Sequence, residues 1–183
     1  MRIISGNFKG KKLFLPKDKN TRPLKDVVKE SIFNIINHSN LIDVSIANSN
    51  ILDLFSGSGS FGLECISRGA KKVTFIENHI NAIEILKRNL KDFNNYKIIK
   101  KDCFKFFENK KIFDLKFDII FIDPPFKETK INEIISKIKK HRLLLNNGLL
   151  IIHRHKKDNV QITEEMKVIE ERFYGLSKIY FGN

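Results

Sequence analysis

Between residues 50 and 155, strand-length apolar runs alternate with helix-length segments, and this alternation constrains the fold more than any other feature of the chain. The predicted strands are "NILDLF", "KVTFIE", "YKIIKKD", "FDIIFID" and "GLLIIH", and helical segments separate them. Most of these runs are continuously apolar, so both faces of each strand must be buried. The alternation therefore predicts a parallel sheet with helices on both faces.

The last segment of the chain breaks this alternation. The runs "KVIEERFYG" and "LSKIYFGN" both have strand character and meet near Gly175 without a helix between them, which predicts an antiparallel hairpin. Five strand–helix steps followed by an antiparallel pair give a seven-stranded, Rossmann-like α/β sheet. That architecture is typical of class I S-adenosylmethionine-dependent methyltransferases, whereas a dinucleotide-binding domain consists of two mononucleotide-binding halves.

The first forty residues are predicted to form a separate unit. The segment "MRIISGNFKGKKLFLP" reads as a small β-hairpin or a curled arm. A helix with apolar residues at positions 24, 27, 28, 32, 35 and 36 follows it and ends at "NHSN". We therefore expect an N-terminal arm for RNA docking over 1–40 and a methyltransferase domain over 41–183.

The chain is strongly basic, with a formal net charge of +13 over 183 residues. Such an excess favours a polyanionic partner, although a lysine-rich compositional bias explains part of it. The basic side chains of the arm are the predicted nucleic-acid contacts: Arg2, Lys9, Lys11 and Lys12. No apolar run has membrane-spanning length, and neither a signal peptide nor a disulfide framework is apparent. These features favour a cytoplasmic protein, and nothing in the sequence indicates more than a monomer.

Three glycines in "DLFSGSGSFG", Gly57, Gly59 and Gly62, have the G-x-G-x-x-G spacing of a dinucleotide-binding loop. Such a loop offers backbone amides to a pyrophosphate at a helix N-terminus. Asp53 precedes the loop, is not part of that motif, and would repel a pyrophosphate. The same carboxylate would attract the ammonium and sulfonium groups of S-adenosylmethionine. We therefore favour S-adenosylmethionine as cofactor, with a nicotinamide-dependent oxidoreductase as the competing interpretation.

Acidic residues end the first four predicted strands, and ligands of open parallel sheets lie beyond these carboxyl ends. The residues are Asp53, Glu77, Asp102 and Asp123. Glu77 is placed to accept hydrogen bonds from ribose hydroxyls, and Asp102 from the adenine amino group. Cys103 or Phe104 would offer an adjacent amide or apolar wall. Each carboxylate could instead cap the helix that follows its strand. The remaining predicted cofactor contacts lie in the loop after the first strand: Phe55, Gly57, Ser58 and Gly59.

The motif "DPPF" after the fourth strand is the predicted catalytic element. Pro124 and Pro125 remove two backbone donors and fix the chain, which leaves Asp123 and the Pro124 carbonyl as acceptors. Hydrogen bonds from an exocyclic amine to these acceptors would direct its lone pair toward a methyl donor. Phe126 would stack on an unstacked base. The alternative is a rigid turn with Phe126 in the core.

Together these segments resemble the RsmD family of bacterial 16S ribosomal RNA guanine-N2 methyltransferases over essentially the whole chain. The segments that carry the resemblance are "MRIISGNFKGKKL", "TRPLKDVVKESIFN", "LDLFSGSGSFGLECISRGA", "FIE", "FDIIFIDPPF" and "YGLSKIYF". The resemblance implies that the acceptor is the N2 amine of one guanine in 16S rRNA, in the small ribosomal subunit or its assembly intermediate. It also implies that Arg22 and Pro23 lie near the cofactor or base pocket, with Arg22 contacting RNA.

Two positions depart from the family pattern, which usually has arginine where this chain has Val27 and Lys29. If the family's arginines contact RNA or the cofactor, Lys29 would make a weaker contact, because lysine lacks the bidentate fork of arginine. Two other functions remain open. The motif "DPPF" suits several exocyclic amines, and a protein can keep this fold without catalytic activity. The two functions are an N6-adenine-specific DNA methyltransferase and a non-catalytic RNA-binding or assembly factor.

The segment "HRH" places His153 and His155 on one face of the fifth strand. No carboxylate or cysteine follows at metal-ligand spacing. We therefore expect a solvated strand end and no metal site. The segment 130–142 is predicted to be an amphipathic covering helix.

Overall fold

The computed structural model describes residues 1–16, 24–109, 112, 114–158, 162 and 166–183. The helices are α1 (Asp26–His38), α2 (Ser60–Ser67), α3 (Ile80–Asn89), α4 (Cys103–Phe106) and α5 (Ile131–Lys140). The strands are β1 (Asn50–Leu54), β2 (Lys72–Glu77), β3 (Tyr96–Lys100), β4 (Phe117–Ile122), β5 (Leu144–His155), β6 (Val168–Tyr174) and β7 (Ser177–Gly182). Within the described ranges, no helix has the length and apolar character that crossing a membrane requires.

The seven strands form one sheet in the order β3-β2-β1-β4-β5-β7-β6. Strands β1 to β5 pair in parallel, and β7 pairs antiparallel with both β5 and β6. The predicted parallel sheet and the predicted C-terminal hairpin are both confirmed. The position of β7 between β5 and β6 does not follow from the sequence pattern, because a hairpin can join a sheet edge through either of its strands.

Helices cover both faces of the sheet, as the apolar strands predict. One face packs against the arm, α1, α2 and α3, and its core contains a stack of Phe33, Phe61 and Phe121 with ring centroids 5.3 and 4.0 Å apart. The other face packs against α4 and α5. One side of α5 is buried and its lysines lie on the other side, which confirms the predicted covering helix. The buried residues are Ile131, Ile134, Ile135 and Ile138.

The predicted arm over 1–40 consists of a first segment, residues 1–16, and the helix α1; below, the word arm denotes residues 1–16, which are curled rather than a regular hairpin. An isolated antiparallel β-bridge joins Arg2 and Lys12. The amides of Ile4 and Ser5 donate to the two carboxylate oxygens of Glu64 in α2, at 2.7 and 2.9 Å. The helix predicted after the arm is confirmed as α1. Both segments contribute side chains to the same core as the sheet, and the boundary at residue 40 remains a prediction.

Lys29 of α1 lies inside the junction between the arm and α2, with its side chain fully buried. Its Nζ donates to the Arg2 carbonyl at 2.6 Å and to Ser60 Oγ at 3.3 Å, and lies 3.7 Å from a carboxylate oxygen of Glu64. Burial lowers the pKa of Lys29, and the carboxylate of Glu64 opposes that shift. Lys29 therefore has no exposed surface for RNA, whereas Val27 is 68% exposed.

Asn89, the last residue of α3, makes a second connection of this kind. Its Oδ1 accepts from the Phe14 amide at 2.8 Å, and its Nδ2 donates to the carbonyls of Phe14 and Ser58, both at 3.0 Å. We call Lys29 and Asn89 the bridging residues, because each binds the arm on one side and the glycine loop or the start of α2 on the other.

Candidate active site

A cavity of about 610 Å³ opens at the carboxyl ends of β1 and β4. Strands β2 and β3 lie on one side of this pair and β5 on the other, so the cavity occupies the topological switch point of the sheet. The glycine loop and the DPPF segment both face it. The predicted site residues that line the cavity are Asp53, Phe55, Gly57, Ser58, Glu77, Asp123, Pro124, Pro125 and Phe126.

The amides of the glycine loop are hydrogen bonded to carboxylates of the protein itself. Gly57 N donates to Glu77 Oε2 at 2.7 Å, and Gly62 N donates to Asp53 Oδ2 at 3.1 Å. A pyrophosphate would have to displace both carboxylates and then lie beside them. The arrangement therefore disfavours a dinucleotide and fits a ligand that carries positive charge.

The backbone of the loop requires glycine at position 59. Gly59 has a φ of 81°, and a Cβ there would lie 2.4 Å from Leu86 Cδ1. Its amide donates to the Ser56 carbonyl at 2.8 Å. Gly59 thus shapes the turn into α2 and does not line the cavity, and its predicted contact with a cofactor remains a prediction.

Asp53 is the most buried carboxylate of the cavity, with 1% of its surface exposed. Burial raises the pKa of Asp53 well above its usual range, and the carboxylates of Asp123 and Glu77 raise it further. The hydrogen bond from Gly62 opposes these effects only partly. A cation bound in the cavity would favour the ionised form of Asp53.

Glu77 ends β2 and accepts three hydrogen bonds from backbone amides. Besides Gly57, the amides of Asn78 and His79 donate to its Oε1, each at 2.9 Å. A carboxylate offers about four acceptor positions. The carboxylate is therefore fixed at the cavity wall with room for about one more hydrogen bond, and its predicted contact with a ribose remains a prediction.

Asp102 and Cys103 are not among the residues that line the cavity. Asp102 caps α4, because its Oδ1 accepts from the amides of Phe104 at 2.9 Å and Lys105 at 3.3 Å. Cys103 is buried, which raises the pKa of its thiol, and its Sγ accepts from the Phe55 amide at 3.3 Å. The capping alternative thus applies to Asp102, and the adenine contact remains a prediction.

The DPPF segment forms the wall opposite the glycine loop. Asp123 N donates to the Leu54 carbonyl at 3.4 Å, which extends the pairing of β1 with β4. Pro124 is buried and Pro125 is exposed. Phe126 is half-buried at the cavity wall rather than in the core, and its ring lies 4.9 Å from the His155 ring at an angle of 70°.

The chain after this motif is held by Arg154, whose burial the sequence did not indicate. Arg154 is 2% exposed, and its Nη2 donates to the carbonyls of Glu128 at 2.7 Å and Phe126 at 3.4 Å. Its Nε also pairs with Asp158. An arginine at the end of a strand is ordinarily exposed, so no sequence signal marked this contact.

The expectation of a solvated strand end at "HRH" is wrong for His153. His153 is 3% exposed, and its ring joins Asp123 Oδ1 to Ser177 Oγ, at 2.7 and 2.8 Å. The cause is the register of the sheet: Ile152 lies beside Ile122, so the next residues along both strands become neighbours. Among the described residues, no group of His, Cys, Asp or Glu could hold a metal ion.

The basic side chains of the arm differ in availability. Arg2, Lys9 and Lys12 are exposed. Lys11 forms an ion pair with Asp92, so its charge is partly compensated within the protein. The contacts of all four with nucleic acid remain predictions.

The tip of the arm lies away from the cavity, at the far end of α2. Asn7 N donates to the Ser67 carbonyl at 2.8 Å, and Phe8 N donates to Ser67 Oγ at 2.9 Å. Helix α2 begins at Ser60, which lines the cavity, and has eight residues, so it spans about 12 Å. Lys9 therefore lies outside the cavity, and its predicted contact would be with a part of the RNA away from the reacting base.

Arg22 and Pro23 lie outside the described residues. Leu24, the next described residue along the chain, lines the cavity and is 5% exposed. The chain thus reaches the cavity directly after this pair, whose roles remain predictions.

The strand order, the antiparallel hairpin and the cavity at the β1–β4 switch point define a class I methyltransferase fold. The family model for conserved hypothetical protein 95 matches residues 1–183. Ribosomal RNA small subunit methyltransferase D of Buchnera aphidicola subsp. Baizongia pistaciae is 33% identical, over 100% of this chain and 90% of its own length. The chain therefore belongs to this family, and the resemblance to the RsmD family is confirmed.

Solved structures share the architecture. The chain is similar to yhhF from Escherichia coli, at 25% identity and a TM-score of 0.84, over 100% of this chain and 96% of that chain. It also has the fold of SMU.776, which was solved in complex with SAH, at 19% identity and a TM-score of 0.64, over 81% of this chain and 48% of that chain.

Proposed function

We propose that this protein transfers a methyl group from S-adenosylmethionine to the exocyclic N2 amine of one guanine in 16S rRNA, within the small ribosomal subunit or its assembly intermediate. The observation that carries the proposal is the cavity shared by the glycine loop, with its acidic residues, and the DPPF segment. The names of the family relatives support a ribosomal RNA acceptor. The complex of SMU.776 with SAH, S-adenosylhomocysteine, supports the cofactor.

The donor half of the cavity fits S-adenosylmethionine by its charge. When bound, this cofactor supplies an electrophilic methyl group on a sulfonium. Asp53 would hold the cationic end of the cofactor, and Glu77 would accept from its ribose. Both carboxylates already bind loop amides, so they are fixed before a ligand arrives.

Binding of S-adenosylhomocysteine is expected to release up to about one proton from Asp53. Burial raises the pKa of Asp53 and so favours its protonated form in the ligand-free protein, whereas the ligand ammonium favours the ionised form. The affinity should therefore increase as the pH rises through that raised pKa. Calorimetry in two buffers with different ionisation enthalpies measures the proton release.

The variant Asp53→Asn should bind without proton release and lose this pH dependence. The exposed Glu84→Gln on α3 is a control that should behave as the wild type. A wild-type protein that binds the ligand without releasing a proton would contradict the role of Asp53.

The half of the cavity that would hold the methyl acceptor offers two hydrogen-bond acceptors and an aromatic ring. Asp123 and the Pro124 carbonyl would accept from the amine and orient the nitrogen lone pair, and Phe126 would stack on the base. Positioning supplies most of the rate enhancement in such a displacement. Asp123 would take up the proton that the amine loses, so no stronger base is needed.

Mass spectrometry of ribosomal RNA nucleosides, with and without the protein, tests the proposal. We expect the N2-methylguanosine content of 16S rRNA to fall by one residue per molecule in its absence. Methyl transfer to purified small subunits, to 16S rRNA alone and to DNA identifies the acceptor. Methylation of adenine in DNA without methylation of rRNA would identify an N6-adenine DNA methyltransferase instead. Binding of NAD without binding of S-adenosylhomocysteine would reject the cofactor.

Removing charge from the arm should flatten the salt dependence of RNA binding. Each phosphate contact contributes about 0.7–0.9 to the slope of log K against log salt, so Lys9→Ala with Lys12→Ala should reduce the slope by about 1–2. Filter binding of 16S rRNA from low to high salt measures the slope. The matched control is Lys139→Ala with Lys140→Ala, at the end of α5 on the opposite face of the sheet. Equal slopes for both double variants would show that the arm does not contact phosphate.

A further inference from the structure

We propose that His153 is a positioning residue for Asp123, and that Ser177 in turn orients His153. The inference rests on the proposed function, because Asp123 is the residue assigned to the acceptor amine. It assigns a role in the reaction to β5 and to the C-terminal hairpin, neither of which belongs to the glycine loop or to the DPPF segment.

Three elements meet in one hydrogen-bonded chain. Asp123 follows β4, His153 is in β5, and Ser177 begins β7. His153 Nδ1 lies 2.7 Å from Asp123 Oδ1, and His153 Nε2 lies 2.8 Å from Ser177 Oγ. His153 is 3% exposed and Ser177 is 1% exposed. Both ring nitrogens are thus paired inside the protein, although His153 also contributes to the cavity wall.

The direction of these bonds follows from the chemistry of the groups. The proposed role of Asp123 as an acceptor requires its carboxylate form, which can only accept, so the proposal places the proton of His153 on Nδ1, from which it donates to Asp123. In the neutral ring Nε2 then accepts, and the Ser177 hydroxyl donates to it. The chain runs from Ser177 through His153 to Asp123.

This chain determines which part of Asp123 faces a substrate. Oδ1 is bound by His153, so Oδ2 is the oxygen left for the acceptor amine. The bond also limits rotation of the carboxylate about its Cβ–Cγ bond, which a terminal carboxylate otherwise undergoes readily. The His153 ring further lies 6.0 Å from the Phe126 ring, edge to face, so one side chain supports both predicted contacts to the base.

Two amide substitutions at position 153 separate the bonds of the ring. The side-chain nitrogen of asparagine can occupy the place of Nδ1, and that of glutamine the place of Nε2. His153→Asn should therefore keep the bond to Asp123, and His153→Gln should lose it. We expect kcat for methyl transfer to fall about 10- to 100-fold in His153→Gln and to stay within about threefold in His153→Asn. Ser177→Ala should cause a smaller fall than His153→Gln.

The dissociation constant for S-adenosylhomocysteine and the KM for small subunits should stay within about twofold in all three variants, because the lost bond aligns Asp123 rather than holding a ligand. His38→Gln, at the exposed end of α1, is the control for the same substitution. Thermal melts confirm that each variant is folded. Equal kcat values for His153→Asn and His153→Gln would overturn the inference, and so would a loss confined to ligand affinity.

A second measurement separates this inference from the proposed function. In the ¹⁵N-labelled protein, NMR should show His153 with its proton on Nδ1 and a strongly downfield Nδ1–H signal, which Asp123→Ala should remove. A wild-type protein without methyltransferase activity on rRNA or DNA would reject the proposed function alone. A His153 ring protonated only on Nε2, or a signal unaffected by Asp123→Ala, would overturn the positioning role.

Discussion

Replacing Asp123 with alanine is expected to lower kcat for methyl transfer by about 100- to 1,000-fold, which is the usual effect of removing one preorganised polar group that acts in the transition state. The dissociation constant for S-adenosylhomocysteine should stay within about threefold of the wild-type value. The carboxylate is at the end of β4 and is hydrogen bonded to His153, on the wall opposite the glycine loop. Its loss therefore affects the acceptor side of the cavity more than the donor side.

Single-turnover kinetics at saturating donor measure the rate of methyl transfer, and calorimetry measures the dissociation constant for S-adenosylhomocysteine. Asp43→Ala, an exposed aspartate between α1 and β1, is the control and should leave both unchanged. A large loss of ligand affinity with unchanged turnover at saturation would contradict the assignment, because Asp123 would then belong to the donor side.

Replacing Glu64 with alanine is expected to lower the free energy of unfolding by about 3–5 kcal/mol, which is typical when one partner of a buried ion pair is removed. Glu64 is fully buried and accepts from the amides of Ile4 and Ser5 and from Arg68 Nε, at 2.7, 2.9 and 2.8 Å. The variant would leave these donors without their acceptor, and it would remove the buried carboxylate beside the ammonium of Lys29.

Urea denaturation followed by circular dichroism measures the change. Glu84→Ala is the matched control, because Glu84 pairs with Lys87 on the exposed side of α3, and it should have no measurable effect. Adding Lys29→Met to Glu64→Ala should recover part of the loss, since the buried cation is then absent. Equal losses for Glu64→Ala and Glu84→Ala would show that the arm is not held through Glu64.

The sheet and the acidic residues at its strand ends could be predicted from the sequence, because both follow from local sequence patterns. Apolar runs and the segments between them specify strands and helices, and strand ends in a parallel sheet converge at one edge, so Asp53, Glu77 and Asp123 could be brought together without a structure. Asp102 ends a strand in the same way but caps α4. Whether a strand-end carboxylate faces a ligand or the next helix depends on loop geometry, which the pattern does not contain.

The contacts between distant strands could not be predicted. His153 meets Asp123 because of the register between β4 and β5, and it meets Ser177 because β7 inserts beside β5. A single sequence contains neither the register nor the insertion. The burial of Lys29 could not be predicted for a related reason, since a lysine on a helix is ordinarily exposed and its burial depends on where the arm packs.

The bridging residues connect the arm, where we predict RNA docking, with the glycine loop, where we propose that the donor binds. Asn89 holds the backbone of Phe14 in the arm and of Ser58 in the glycine loop with one buried amide, so neither segment can shift without straining the other. If a polyanion docked on the arm changes the affinity for the methyl donor by some factor, the bound donor must change the affinity for the polyanion by the same factor. The order in which the two ligands arrive would alter the rates of assembly but not the stability of the ternary complex.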